Sequence, residues 1–235
     1  MGDRCSRLAC GQGLDAERIV QRCGEYTGID VSAASVEVAR REVEACKPDK
    51  TPVSFRVADA ERLPFEDMEF DIVYSIGVLH HTPDFDAALL EAHRVLKPGG
   101  TLVLMLYRSF TPLWIVLRGV RGLLKLPGVG RWLRQSVVDR ERRRLSDEDH
   151  VAGTAILELF GCPIIDTYTL RDLRRRFRGC FTLKQHQFHR VGIEQIIRVL
   201  PAALRERWPQ GATERIEHAL RRSFGFYMVL VAERS

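Results

Sequence analysis

The sequence predicts an α/β fold built on a doubly wound, mostly parallel sheet. Three observations predict it. Short strands and helices alternate through the first half of the chain. Two strands, Phe70 to Ile76 and Thr101 to Tyr107, are continuous apolar runs, as strands covered by helices on both faces are. The elements are separated by strong stop signals, above all Lys97-Pro98-Gly99-Gly100. A chain of 235 residues is long enough for one domain with a real core.

In order, Leu14 to Cys23 reads as a short helix and Tyr26 to Asp30 as a short strand ending on an acid. Ser32 to Ala45 is helical, with Ser32 placed to cap it and Val36, Val38, Ala39 and Val43 available for burial. Val53 to Val57 is the third strand and Phe70 to Ile76 the fourth. Phe85 to Leu96 is a helix, and Thr101 to Tyr107 the fifth strand. Beyond Tyr107 the rhythm changes. Residues 111 to 160 look helical and basic, Leu170 to Phe177 is a short helix, and Phe181 to Phe188 is a strand. Ile193 to Leu220 looks helical, and Phe224 to Ala232 is the final strand. The simplest organisation is one domain over residues 1–235, with helical insertions at 108–165 and 190–222.

Apolar content of 45% and charged content of 29% are ordinary for a globular protein. The longest apolar runs, such as Leu113 to Leu117, are far too short to span a bilayer, so no transmembrane segment is expected. The first ten residues are polar and carry no leader-like stretch. The six cysteines show no C-x-x-C pairing and no nearby histidine pattern, which argues against a zinc site or any other metal. Read as unpaired thiols, they point to a reducing, cytoplasmic setting. The net charge of +5 is concentrated in arginines between 118 and 144 and between 171 and 178. These suit either an anionic partner or a solvated helix face, and the interleaved Asp139, Glu141, Asp147, Glu148 and Asp149 favour the solvated face.

Four features carry the chemistry. Cys10-Gly11-Gln12-Gly13 is a glycine-rich turn entering a helix, where the backbone can approach a ligand without a Cβ in the way. Asp30 closes the second strand, where a carboxylate accepts from both hydroxyls of a ribose. Asp59-Ala60 follows the third strand, where an acid can accept from an adenine amino group. Phe70 to Val73 runs into Gly77-Val78-Leu79-His80-His81 after the fourth. All lie beyond the carboxyl ends of strands, where open α/β sheets bind ligands. Gly11, Gly13 and Ala16 also satisfy a dinucleotide fingerprint. Against it, Asp15 would set a negative charge where a pyrophosphate needs the helix N-terminus, and the later motifs have no role in such a site.

The segments TGIDVSAASVEVAR, VADAERLPFEDMEFDIVYSIGVLHHTPD and HRVLKPGGTLVLMLY resemble the successive motifs of class I, Rossmann-like methyltransferases of type 11. The resemblance runs from Gly11 to Tyr107. It implies a seven-stranded, mostly parallel sheet with an antiparallel final strand, and S-adenosyl-L-methionine as cofactor. It implies that residues 1–107 form the cofactor-binding half and that the two insertions form a substrate lid. Cys10, Gly11 and Gly13 would hold the methionine portion, Asp30 and Val31 the ribose side, Asp59 and Ala60 the adenine, with Ser75, Ile76 and Gly77 facing the cofactor. Methyl transfer is an in-line displacement, so alignment supplies much of the rate, and a hydroxyl acceptor also needs a base. His80 and His81, at the mouth of the site, are the candidates; the alternative is that they only pack and shape the loop.

The start of the chain departs from the family pattern. Arg7 stands where an acid is expected and Ala9 where a glycine is, behind a strand with three charges in five residues. Such a strand is costly at the centre of a sheet. The expectation is a chain truncated at its N-terminus, with weakened cofactor binding and a marginal fold. For the acceptor, a small molecule, lipid-like or sugar-containing, is preferred over nucleic acid, because no groove of aromatic and basic residues is evident. An inactive adapter is the third reading. The amphipathic stretch 113–135 suits peripheral membrane contact, an apolar acceptor, or burial on the protein's own core.

Overall fold

The computed structural model describes residues 3–8, 19–46, 51–111, 164–189 and 211–235, with further positions at 114–115, 118–119, 122 and 209. Its seven strands are β1 (Arg4–Leu8), β2 (Glu25–Asp30), β3 (Val53–Val57), β4 (Phe70–Ile76), β5 (Leu96–Tyr107), β6 (Phe181–His189) and β7 (Tyr227–Arg234). They form one mixed sheet in the order β3-β2-β1-β4-β5-β7-β6. The pairs from β3 through to β5 are all parallel, and the C-terminal strand is antiparallel. Four helices are described: α1 (Ala33–Cys46), α2 (Phe85–Val95), α3 (Leu170–Arg176) and α4 (Ala212–Phe224). Of the predicted helix Leu14 to Cys23, residues 14–18 lie outside the described residues, as do most of 111–160 and 190–208; residues 19–20 are helical and 21–22 form a turn.

Helix α1 begins where Ser32 Oγ accepts from the Ser35 amide at 3.2 Å, as its cap position predicts. Val36, Ala39 and Val43 follow at helical spacing and pack against Tyr26, Phe55 and Tyr74 on one face of the sheet. Val38 instead points outward, 37% exposed, because it falls off that stripe. Asp84 caps α2 by accepting from the Ala87 amide at 3.0 Å. The predicted end of α2 is one residue late: Leu96 already opens β5. Phe70 pairs with Leu96 and Ile72 with Thr101, so Lys97 to Gly100 form an irregular step within the strand rather than a turn before it. Gly100 is required there, since a Cβ would sit 2.8 Å from the Lys97 carbonyl oxygen and 3.1 Å from that of Asp71.

The charged first strand does occupy the sheet centre, between β2 and β4. For Arg4 the cost is avoided by its place at the strand's start. Arg4 is the first residue of β1, and its side chain stays partly in solvent. Its Nε donates to Glu25 Oε2 at 2.7 Å, and its amide donates to Asp71 Oδ2 at 2.9 Å. Lys97 holds Asp71 in turn at 2.7 Å. Cys5, Ser6 and Leu8 supply the buried part. The cysteines also differ from the prediction: Cys5 is joined by a disulfide to Cys23, just ahead of β2.

The chain forms two compact units. The first comprises Met1–Tyr107, Tyr168–Gln187 and Met228–Ser235, and the second Arg108–Thr167 and Phe188–Tyr227. In the first, the Tyr168 amide donates to the Tyr107 carbonyl at 2.9 Å, so the first of the chain's two excursions from this unit leaves and returns at one point. In the second, Arg108 donates through its amide to the Phe226 carbonyl and through Nη1 to the Ser223 carbonyl, and its guanidinium lies 4.2 Å from the centre of the Phe188 ring.

Candidate functional site

Parallel register brings the ends of β1 to β4 level. Leu8 pairs with Ile29, Asp30 with Val57, and Ile76 with Met105. The carboxyl edge of the sheet therefore gathers the residues that follow these strands. Asp30 Oδ1 accepts from the Ser32 amide at 2.9 Å, which fixes the carboxylate at the strand end. Its carbonyl accepts from the Ala58 amide at 3.0 Å, tying the end of β3 to the end of β2. Beside it, Val31 presents an apolar side chain that is 68% exposed. Asp59 is exposed and accepts from the Glu61 amide at 3.0 Å, while Ala60 is buried beneath it. Gly77 sits at φ +76, a conformation that favours glycine, and donates its amide to the Met105 carbonyl at 3.1 Å. Cys10, Gly11 and Gly13 lie outside the described residues.

The loop between β3 and β4 is clamped by residues that the sequence reading passed over. Arg94, near the end of α2, donates to the carbonyls of Leu63 at 3.0 Å and Phe65 at 2.8 Å, and to Asp67 Oδ1 at 2.8 Å. Glu91 accepts from Arg94 Nε and Nη2, each at 2.8 Å, and from the Leu63 amide at 2.7 Å. This hydrogen bonding raises the Arg94 pKa and lowers that of Glu91, so both are charged. The two lie three apart on one helix face, a spacing that could have revealed the pair.

His80 and His81 form a single turn of 3-10 helix with Leu79. His80 is fully buried, its ring centre 4.1 Å from that of His81 and 4.0 Å from that of Tyr107. Neither of its ring nitrogens has a hydrogen-bond partner. Burial, with the nearby His81, holds its pKa well below the usual histidine value, so the ring is neutral. His81 is only partly buried. Ser75 Oγ, one residue before the end of β4, is also buried and without a hydrogen-bond partner. His186 and His189 lie on β6, well along the sheet from this edge.

Two strand-end carboxylates, an exposed apolar side chain beside one of them and a glycine after β4 fit a ligand with ribose hydroxyls, an amino-bearing base and a close approach to the backbone. A family model described as a methyltransferase domain matches residues 7–104. A ubiquinone biosynthesis O-methyltransferase from Alkalilimnicola ehrlichii is 34% identical over 175 residues, covering 73% of this chain and 69% of that protein. A 27-O-demethylrifamycin SV methyltransferase from Amycolatopsis mediterranei is 41% identical over 105 residues, covering 44% of this chain and 38% of that protein. The chain spans between 37% and 43% of the length of the first four curated relatives it matches. Among solved structures, a SAM-dependent methyltransferase from Methanosarcina mazei superimposes with a TM-score of 0.60 at 18% identity, over 99% of this chain and 92% of that one.

Proposed function

Since the chain belongs to the S-adenosylmethionine-dependent methyltransferases of the Rossmann-like class I fold, we propose that it transfers the methyl group of that cofactor to a small-molecule acceptor. The observation that carries the reading is the level carboxyl edge, with Asp30 and Asp59 on adjoining strand ends and Gly77 after the next but one. Asp30 would accept from the ribose hydroxyls and Asp59 from the adenine amino group, with Val31 and Ala60 as apolar walls. Cys10, Gly11 and Gly13 would approach the methionine portion, and Ser75, Ile76 and Gly77 would line the reacting end. The relatives' names, from a rifamycin to a ubiquinone precursor pathway, support a small-molecule acceptor.

The cofactor supplies an electrophilic methyl on a positively charged sulfur; the chain must hold the acceptor in line and take its proton. For the proton, His80 and His81 are the candidates: His80 is fully buried, and His81 is partly buried with its Nε2 enclosed, so either would act only once the loop admits the acceptor. The two insertions would cover the acceptor. Calorimetric titration with S-adenosylmethionine should give micromolar affinity, and methyl-deuterated cofactor offered to a metabolite extract should yield a labelled small product. Absence of cofactor binding by the folded chain overturns the reading.

A further inference from the structure

Glu61 stands directly after Asp59 and Ala60, the pair assigned above to adenine, and its backbone is fixed to Asp59. Its amide donates to Asp59 Oδ1 at 3.0 Å, and the next amide, of Arg62, donates to the Asp59 carbonyl at 3.1 Å. Its side chain reaches out of the loop: Oε1 accepts from the Asp84 amide at 2.8 Å. We propose that Glu61 is a positioning residue for methyl transfer, tying the turn of His80 and His81 to the loop that begins at Asp59, so that cofactor binding firms that turn. The proposal rests on the methyltransferase reading.

Helix capping carries it. Asp84 is the N-cap of α2, and its side chain accepts from the Ala87 amide at 3.0 Å. A complete capping box returns a second bond, in which an acidic or amide side chain three residues into the helix accepts from the backbone amide of the cap. Helix α3 has the box in full: Thr169 accepts from the Asp172 amide, and Asp172 accepts from the Thr169 amide, each at 3.1 Å. In α2 the third position is Ala87, which has no side-chain acceptor. Glu61 supplies the missing bond from another element. The start of α2 is thus completed by the loop of Asp59 and not by its own sequence.

The link from Asp84 back to the histidines is short and stiff. Only Thr82 and Pro83 intervene. The proline ring fixes its own φ and restricts the residue before it, which is extended here. Thr82 is also tied back, its Oγ1 donating to the Leu79 carbonyl at 2.8 Å. The turn itself closes through the His81 amide to the Val78 carbonyl at 2.8 Å and the Thr82 amide to the Leu79 carbonyl at 3.4 Å. A lone 3-10 turn has poor hydrogen-bond geometry and gains from an outside anchor. Adenine engaging Asp59 would restrain the turn from Asp59 to Arg62, and with it the Glu61 carboxylate. A restraint on the Asp84 amide then reaches the histidine turn with little slack.

The test is amide exchange at His81 and Thr82, followed by NMR on the full chain with and without saturating S-adenosylmethionine. In wild type the cofactor should slow both amides by about fivefold or more. E61A should still bind the cofactor in calorimetric titration yet lose that slowing, and E61Q, which keeps an acceptor oxygen, should regain it. Phe85, buried with its ring centre 4.6 Å from that of Tyr168, and the Arg94 bonds hold α2 without Glu61, so E61A should fold. A residue that merely stabilised the turn would, when removed, speed exchange in both states and leave the cofactor-induced ratio intact. That intact ratio in E61A, or an E61Q variant that behaves like E61A, overturns the proposal. Loss of cofactor binding by E61A also overturns it, since Glu61 would then belong to the cofactor site itself. Cofactor binding with an unresponsive turn in wild type removes the proposal alone; a folded wild-type chain that binds no S-adenosylmethionine removes the methyltransferase reading and the proposal with it.

Discussion

Glu91 grips Arg94 through both carboxylate oxygens, at 2.8 Å each, and the same arginine holds two carbonyls of the loop after Asp59. Arg94→Ala would leave those carbonyls and Glu91 without their donor. The expected loss is about 2–4 kcal/mol of stability, and cofactor affinity should fall with it because Asp59 and Ala60 begin that loop. Arg94→Lys should recover only a small part, since an ammonium cannot span the fork. Thermal melts and cofactor titration of both variants read this. A Lys variant indistinguishable from wild type would refute it.

Gly77 makes a second, local prediction. Its φ of +76 strains any side-chain-bearing residue, and an added Cβ would press within 3.4 Å of Met105. Gly77→Ala should cost about 1–2 kcal/mol, a drop of a few degrees in Tm. Gly179, also at positive φ but with open space around it, is the control that separates strain from crowding. Equal Tm losses for the two alanine variants would assign the whole effect to the backbone.

Acid should weaken the fold in two stages. His80 is neutral when folded because its pKa is held well below the ordinary 6.5. The unfolded chain therefore binds the extra proton first, and stability is full above about pH 6.5 and declines as pH falls below it. Asp71 and Glu91 have lowered pKa values: burial raises that of Asp71 but the Lys97 and Arg4 hydrogen bonds outweigh it, and the Arg94 hydrogen bond lowers that of Glu91, so their contribution is lost only at more acid pH, below about 4.5. His80→Phe keeps the ring stack and removes the titration, so its Tm should fall less than wild type between pH 7.5 and 5.5. Parallel Tm profiles would show that His80 is not the group responsible.

The Cys5–Cys23 bond closes a loop of 18 residues. Closing such a loop restricts the unfolded chain by about 3 kcal/mol. Melting with and without dithiothreitol should differ by several degrees, and mass spectrometry of the alkylated chain should find both thiols protected before reduction. Free thiols in the untreated protein would show that the bridge is not formed.

Much of the first unit was legible because its signals are local. Asp30, Asp59 and Gly77 follow the ends of their strands as the sequence places them, and Ser32 caps α1 as its position implies. What escaped was non-local. Whether Arg4 ruins a central strand depends on Glu25 and Asp71, which approach only after folding. The pairing of Cys5 with Cys23 requires β1 to lie beside β2, so spacing alone concealed it. The burial of His80 depends on Tyr107 crossing above it from the neighbouring strand. The left-handed backbone of Phe110 is a conformation that no propensity would assign to phenylalanine.

The hydrogen bond from Tyr168 to Tyr107 has an evolutionary corollary. Everything from Arg108 to Thr167 departs and returns across a gap of one peptide width, so this stretch can be lengthened, shortened or exchanged without moving β5. Under the proposed reading, in which this stretch covers the acceptor, a lineage could keep β5 and vary its acceptors by trading this stretch together with Phe188–Tyr227, which shares its unit. Transplanting the corresponding stretch between relatives is the natural route to altered selectivity.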